Sequence, residues 1–108
     1  RGLAMAQEIT IARVYLREAD KGNRESLMRE ILKILHDERR VKGVTVFRGI
    51  AGFGETGEVT SGDPLHILSS LPVVIEFFDS PENVEPAIQA LTSLLPADHI
   101  VSWPAKQH

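Results

Sequence analysis

Four stretches of the chain show the alternation of apolar and polar residues that is typical of β-strands. Residues 9–17 and 44–50 alternate along their length, so each is expected to bury one face. A third strand is predicted over residues 71–79, where Pro72 is tolerated because the first residue of a strand need not donate a hydrogen bond. Residues 99–104 are long enough to form a short fourth strand.

A first amphipathic helix is predicted over residues 24–39, after the turn residues Gly22 and Asn23. Its apolar positions recur at helical spacing and form one stripe, which comprises Leu27, Met28, Ile31, Leu32, Ile34 and Leu35. Lys42-Gly43 is expected to close this helix, because glycine is common just beyond a helix end.

A second amphipathic helix is predicted over residues 81–95. Ser80 is expected to cap its first turn, and Pro96 is expected to end it. Pro86 would break the helix if it lay deep inside, because proline lacks the amide that donates to the preceding turn. We therefore expect the regular helix to begin nearer Asn83.

The order strand, helix, strand, strand, helix, strand predicts an α+β fold of the ferredoxin-like βαββαβ type. In this fold a four-stranded antiparallel sheet carries both helices on one face. The helix-facing set is expected to be Ala12, Val14, Leu16, Val44, Val46, Val73, Ile75 and Phe77. The opposite face is expected to hold Ile11, Tyr15, Phe47, Val74, Phe78 and Trp103.

These six apolar side chains predict that copies of the chain associate. At about 25 cal/mol per Å² of apolar area, leaving them in water would forgo several kcal/mol of burial. Exposed apolar patches of this size mark interfaces, and most soluble assemblies are symmetric, so a homo-oligomer through this face is predicted. Arg13, Arg17 and Glu76 share the face and are expected to pair across or along the interface. The alternative, residues 1–8 folding over the sheet, is disfavoured because that segment is short and polar.

A chain of 108 residues has room for one compact domain, which we expect over residues 9–104. Residues 1–8 are expected to form an N-terminal tail, with residues 1–4 left over from cloning ahead of Met5. Residues 105–108 are expected to be a C-terminal tail.

Composition excludes several classes of partner and chemistry. Twelve Lys and Arg against fifteen Asp and Glu give a net charge of -3, which argues against nucleic acid as a partner. Without cysteine there is no disulfide, no thiolate metal site and no cysteine nucleophile, and a reducing compartment, the cytoplasm, is expected. No apolar stretch approaches the roughly 20 residues that span a bilayer, so direct membrane insertion is not expected.

Glycine is concentrated in one part of the chain, since six of the eight glycines lie between Gly43 and Gly62. Successive amides of such a segment can cradle an anion. The run matches neither G-x-G-x-x-G nor the P-loop, however, so an ordinary hairpin loop is favoured over a phosphate site on these residues alone.

Three motifs resemble the domain of unknown function 190 (DUF190) family, whose members are relatives of PII-like signalling proteins. They are KGVTVFRGIAGFG over residues 42–54, LPVVIEFFD over residues 71–79 and YLREADK near the first strand. The resemblance implies a ferredoxin-like fold assembled as a trimer. It also implies that small ligands, frequently adenine nucleotides, bind in clefts between subunits.

The segment between the second and third strands would then correspond to the mobile T-loop of PII proteins, which a protein partner reads. By resemblance, the ligand-binding candidates on the motif are Arg48, Gly49, Gly52, Phe53 and Gly54. That partner is expected to be a membrane transporter or an enzyme.

The residues after this motif depart from the family pattern. Glu55, Glu58 and Asp63 are acidic, and Thr60 stands where a histidine is typical. Acidic side chains repel phosphate, so an anionic ligand would have to rely on a set of basic residues. These are Arg48, Arg17, Lys21 and Lys42. Alternatively, the loop is suited to a basic partner or a cation, with Glu55, Glu58, Thr60, Asp63 and His66 as the partner-loop candidates.

Catalytic and metal chemistry find little support in the sequence. The four histidines, His36, His66, His99 and His108, are scattered, so no metal is expected. His66 lies near Asp63 and several serines, but no nucleophile elbow surrounds these serines, and an enzyme is not expected. Glu76 is interpreted as a cross-strand partner of Arg13 or Arg48 in preference to a buried catalytic acid.

The leading hypothesis is a trimeric PII-like regulatory protein that senses a small ligand at subunit boundaries. Residues 52–68 would form a flexible loop that passes the ligand state to a protein partner by population shift. A small enzyme that uses the cleft between subunits and a structural partner in a larger complex remain as alternatives.

Overall fold

The computed structural model describes residues 6–16, 24–50 and 72–108. The strands are β1 (Gln7–Leu16), β2 (Gly43–Arg48), β3 (Val73–Asp79) and β4 (Ile100–Gln107), and the helices are α1 (Arg24–Lys33) and α2 (Pro81–Thr92). A π-helical turn, Ile34–Glu38, continues α1. The order β1-α1-β2-β3-α2-β4 confirms the predicted ferredoxin-like α+β fold.

The sheet is antiparallel throughout, with the strand order β2-β3-β1-β4. β1 and β3 are therefore central, and β2 and β4 are the edges. The predicted fourth strand was too short, because β4 continues past Pro104 and pairs Gln107 with Gln7. Proline is tolerated within this strand because an edge strand need not donate from every residue.

The core lies between the sheet and the two helices. Its buried members are Ala12, Val14, Leu16, Ile31, Ile34, Leu35, Val73, Ile75, Phe77, Val84, Ala87 and Leu91. The predicted stripe of α1 is confirmed, since all of its residues belong to this cluster or pack against it. Val46 is an exception among the helix-facing residues, because it is 43% exposed and lines an open groove.

The first helix ends differently from the prediction. The amide of Arg39 donates to the carbonyl of Ile34 at 2.9 Å, which is the wider spacing of the π-helical turn. Arg40 then adopts a left-handed backbone conformation with φ of 51°. Gly43 is the first residue of β2 and does not close the helix.

The second helix also differs at both ends. It begins at Pro81, not near Asn83, and keeps Pro86 inside. Pro86 lacks the amide that would donate to the carbonyl of Glu82, but Glu82 is exposed, so water can hydrogen bond to that carbonyl instead. The helix ends at Thr92, short of the predicted residue 95.

Asp79 holds the start of α2, although Ser80 is the residue at the cap position. The side chain of Ser80 makes no capping hydrogen bond. Asp79, which is 3% exposed, accepts hydrogen bonds at Oδ1 from the amide of Ser80 at 2.6 Å and from Nδ2 of Asn83 at 3.2 Å. Its Oδ2 accepts from the amide of Lys42 at 3.1 Å. Asp79 therefore joins the start of α2 to the start of β2.

No helix within the described ranges is both long enough and apolar enough to cross a membrane.

We predict that Asp79→Ala lowers the free energy of unfolding by about 1–3 kcal/mol, because it leaves several donors without a buried acceptor. Urea denaturation at one fixed protein concentration measures the change. Glu85→Ala, at an exposed position of the same helix, is the matched control and should change stability by less than about 0.5 kcal/mol. Equal midpoints for Asp79→Ala and the unmodified chain would contradict the assignment.

Candidate functional site

The sheet face that points away from the helices, called the outer face below, is largely apolar. Its members follow from the strand registers and are Gln7, Ile9, Ile11, Arg13, Tyr15, Gly43, Thr45, Phe47, Val74, Glu76, Phe78, Val101, Trp103, Ala105 and Gln107. All six apolar residues predicted for this face are among them. Phe47 is 45%, Val101 48% and Trp103 36% exposed. Val101 was not predicted to lie on this face, although its alternation with Trp103 places it on the same side.

An ion pair lies at the centre of the outer face. Nε of Arg13 donates to Oε1 of Glu76 at 2.8 Å, across the β1–β3 register. The guanidinium carbon lies 5.8 Å from the ring centroid of Phe47 and 5.6 Å from that of Trp103. Both distances are within the range of cation–π attraction. The predicted cross-strand role of Glu76 is thereby confirmed, with Arg13 as the partner.

Pairing reinforces the positive charge that the guanidinium of Arg13 carries at any ordinary pH. Hydrogen bonding to Glu76, and secondarily to Tyr15, raises the pKa of Arg13. Because this pKa is raised, the ion pair between Arg13 and Glu76 is fully formed when the pH is below the ordinary pKa of arginine. The ion pair is lost only when the pH rises through the raised pKa. The cation therefore persists at any pH at which the protein would be handled.

Gly43 leaves room for an aromatic ring close to β2. It is opposite Phe78 in the register, and a Cβ atom on Gly43 would lie 2.8 Å from Cζ of that ring. Real Cβ atoms do not approach a ring so closely, so any larger residue here must displace Phe78. Gly43 thus allows the backbone of β2 and the ring of Phe78 to lie close together on the outer face.

A groove of about 460 Å³ lies on the other side of β2, between this edge strand and the end of α1. Its lining is mostly apolar and comprises Leu32, His36, Val41, Lys42, Gly43, Val44 and Val46. The volume falls within the range of small-molecule sites. The groove was not predicted from the sequence, because alternation within β2 does not specify how far α1 lies from it.

The structure separates two of the basic residues predicted to bind a ligand. Lys42 immediately precedes β2 and Arg48 is its last residue, so about 20 Å separates their Cα atoms at about 3.3 Å per residue. Nζ of Lys42 donates to Oε1 of Gln7 at 3.2 Å, at the far end of the sheet from Arg48. One phosphate group therefore contacts at most one of these two cations.

Arg48 and Gly49 lie at the sheet end where β1 and β2 end and β3 begins. Leu16, Val73 and Arg48 occupy one row across the three strands. The amide of Gly49 donates to the carbonyl of Pro72 at 2.9 Å, which continues the pairing of β2 and β3 beyond Arg48. The remaining candidates, Arg17, Lys21, Gly52, Phe53, Gly54, Glu55, Glu58, Thr60, Asp63 and His66, lie outside the described residues.

The described histidines do not assemble into a metal site. His36 is exposed, as predicted, and its Nδ1 lies 2.7 Å from Oδ1 of Asp37. Nδ1 of His99 lies 3.2 Å from the carbonyl oxygen of Ala97. Across residues 6–16, 24–50 and 72–108, no three His, Asp or Glu residues are grouped so that they could hold a metal ion.

Solved structures with this arrangement of strands and helices define its class. CPII, a nitrogen regulatory PII-like protein from Thiomonas intermedia K12 bound to ADP, AMP and bicarbonate, matches with a TM-score of 0.62 and 19% identity, over 94% of this chain and 88% of that one. The divalent cation tolerance protein CutA1 of Thermus thermophilus matches with a TM-score of 0.59 and 17% identity, over 90% and 84% of the two chains. The fold is therefore PII-like.

Sequence comparison then gives the family. The profile of the DUF190 family, described as uncharacterized ACR, matches residues 9–107. The UPF0166 protein MJ1524 of Methanocaldococcus jannaschii is 38% identical over 85 residues, which are 79% of this chain and 77% of that protein. The chain belongs to the DUF190 family and has a PII-like fold, which confirms the resemblance found in its motifs.

We predict that Gly43→Ala destabilises the protein by about 1–3 kcal/mol, because the added methyl group overpacks the ring of Phe78. Urea denaturation of Gly43→Ala, Phe78→Leu and the double variant forms a double-mutant cycle. The double variant should be more stable than the sum of the single effects, since leucine makes room for the methyl group. Strict additivity would show that the two residues do not compete for space.

Proposed function

We propose that this chain is a PII-like regulatory protein that assembles through its outer face and binds a small anionic ligand, an adenine nucleotide, in clefts between subunits. Membership of the DUF190 family supports the proposal, as does likeness in fold to CPII, whose structure contains ADP and AMP. The observation that carries it is the apolar outer face, because clefts between subunits exist only if copies of the chain cover that face.

The assembly proposed is a homotrimer. Phe47, Val101 and Trp103 are large apolar side chains that remain at least one-third exposed in one copy. Their burial against a second copy is favourable in proportion to the apolar area removed from water. Closed symmetric assemblies satisfy every subunit in the same way, so no copy is left with an uncovered face.

The proposed ligand site combines cationic and apolar groups along β2. The groove beside β2 offers Val44 and Val46 to the apolar part of a ligand, and its mouth lies at an edge strand. Arg48, at the other end of the strand, is a candidate partner for a phosphate group. Arg17, Lys21, Gly52, Phe53 and Gly54 remain candidates for the same ligand, and no metal is proposed as a cofactor.

The proposed output is a change in residues 52–68, which join β2 to β3. Ligand binding next to Arg48 and Gly49 would bias the conformations of this connection, and a protein partner would read the result. The acidic residues Glu55, Glu58 and Asp63 suit a partner with a basic surface. We propose a membrane transporter or an enzyme as that partner, and the cytoplasm as the compartment.

Calorimetric titration with ATP, ADP, AMP and cyclic AMP tests the proposed ligand. We expect at least one of them to bind, and we expect Arg48→Ala to weaken its affinity by about 10- to 100-fold, the effect of losing a hydrogen bond to a charged group. Lys106→Ala removes an exposed cation from the opposite edge strand and is the matched control.

The outcomes separate the proposed function from its alternatives. Heat of binding without conversion of the nucleotide supports a sensor. Conversion of the nucleotide would favour a small enzyme that uses the cleft. Silence across the whole panel would contradict nucleotide sensing and leave a structural role in a larger complex as the better account.

A further inference from the structure

The outer face carries charge at only two of its described strand positions. Arg13 of β1 and Glu76 of β3 are neighbours in the register, and every other outward position on the four strands is uncharged. They occupy the two central strands of the sheet. One cation and one anion therefore lie side by side in the middle of an apolar surface.

This pair keeps hydrogen-bonding capacity beyond its contact within the chain. A guanidinium has five N–H donors, and a carboxylate has about four acceptor positions. The contact from Nε of Arg13 to Oε1 of Glu76 uses one donor and one acceptor position. The two side chains are 39% and 24% exposed, so part of each reaches the surface of the outer face.

The aromatic neighbours restrict where the guanidinium can go. It lies between the rings of Phe47 and Trp103, at 5.8 and 5.6 Å from their centroids, and these rings belong to the two edge strands. With rings on both sides, and with Glu76 and Tyr15 as partners within its own chain, the guanidinium can meet a further acceptor from the direction in which a second subunit would approach.

Covering the outer face makes an incompletely satisfied charge costly. A charged group that is removed from water must be paired and hydrogen-bonded, or its burial opposes association. If the outer faces of the copies pack against one another, as proposed above, the surface that covers Arg13 is the outer face of another copy. The only anion that the described part of that face can present is Glu76.

We propose that Arg13 of each subunit donates a hydrogen bond to Glu76 of the partner subunit in addition to its own Glu76, which links the subunits through a closed set of ion pairs. The inference rests on the proposed assembly and names the groups that select the partner. A surface of another protein that covers this face without an acceptor would leave Arg13 buried and incompletely paired, so the arrangement favours a second copy of this chain.

Two charge-reversal variants test the inference by sedimentation velocity at micromolar concentration. Arg13→Glu gives an outer face with two anions, and Glu76→Arg gives one with two cations. Each variant alone should associate with a dissociation constant raised by about 30-fold or more, because like charges meet in the interface. An equimolar mixture should associate more tightly than either variant alone, because two of the three interfaces in a mixed trimer then join a cationic face to an anionic one.

Controls separate folding from association. Glu85→Arg, an exposed reversal on α2, should leave assembly unchanged. Circular dichroism shows whether each reversal variant is folded. If either variant is unfolded, the neutral variants Arg13→Gln and Glu76→Gln replace the two reversal variants. The inference then requires each neutral variant to assemble more weakly than the unmodified protein. It also requires the dissociation constant of each neutral variant to depend less on salt concentration.

Each outcome has a defined consequence. Tighter association on mixing supports ion pairs between subunits. A mixture that associates no more tightly than either variant alone overturns the inference, as does normal assembly of either reversal variant alone. In both cases an unmodified protein that assembles would leave the proposed function in place. An unmodified protein that sediments as one subunit of 12.0 kDa would overturn the proposed assembly itself.

Discussion

A four-stranded sheet has two faces, and the two helices of this fold cover only one of them. On the helix side, α1 and α2 bury a continuous apolar cluster against the sheet within a single chain. The outer face has no such cover in one copy, yet it carries Phe47, Val101 and Trp103 around a paired Arg13. The need to cover this face is the constraint on which the proposed assembly, and with it a cleft between subunits, depends.

β2 connects the features that bear on function. Its residues Val44 and Val46 line the groove, Phe47 lies on the outer face, and Arg48 ends the strand where the chain leaves toward β3. Gly43 belongs to both sides, since it lines the groove and also makes room for Phe78 on the outer face. In the proposed assembly, a change in how subunits meet would therefore act on the same strand that lines the groove proposed to hold a ligand.

Asp79 fixes one end of this arrangement. By accepting from the amides of Lys42 and Ser80, it sets the position of β2 against the first turn of α2. A buried carboxylate that joins two elements in this way is costly to remove, because its donors lose a buried acceptor. At the opposite end of β2, the hydrogen bond from the amide of Gly49 to the carbonyl of Pro72 keeps the strand paired with β3.

Periodicity in the sequence was sufficient to predict the order of elements and the two faces of the sheet. Ile11, Tyr15 and Phe47 alternate with buried neighbours, and alternation depends only on the geometry of a strand. Element ends were less predictable, because they depend on contacts between distant residues. Ser80 has the residue type of a cap, but Asp79 does the capping.

The predictions based on Pro86 and Gly43 were wrong for a related reason. Pro86 lies within α2 because the carbonyl it leaves unpaired is exposed, and exposure is a property of the packed helix. Gly43 was interpreted as a helix end, whereas it is required by the ring of Phe78 across the sheet. The groove depends on the separation of α1 from β2, which no local pattern encodes.

Trp103 allows the central claim to be measured directly, since it is the only tryptophan and lies on the outer face. In one copy its side chain is partly exposed, so a neutral quencher such as acrylamide should reach it. If copies cover the outer face, fluorescence at micromolar protein should be strongly protected from acrylamide and shifted to shorter wavelength than in urea. Quenching as efficient as that of an exposed indole would contradict the account.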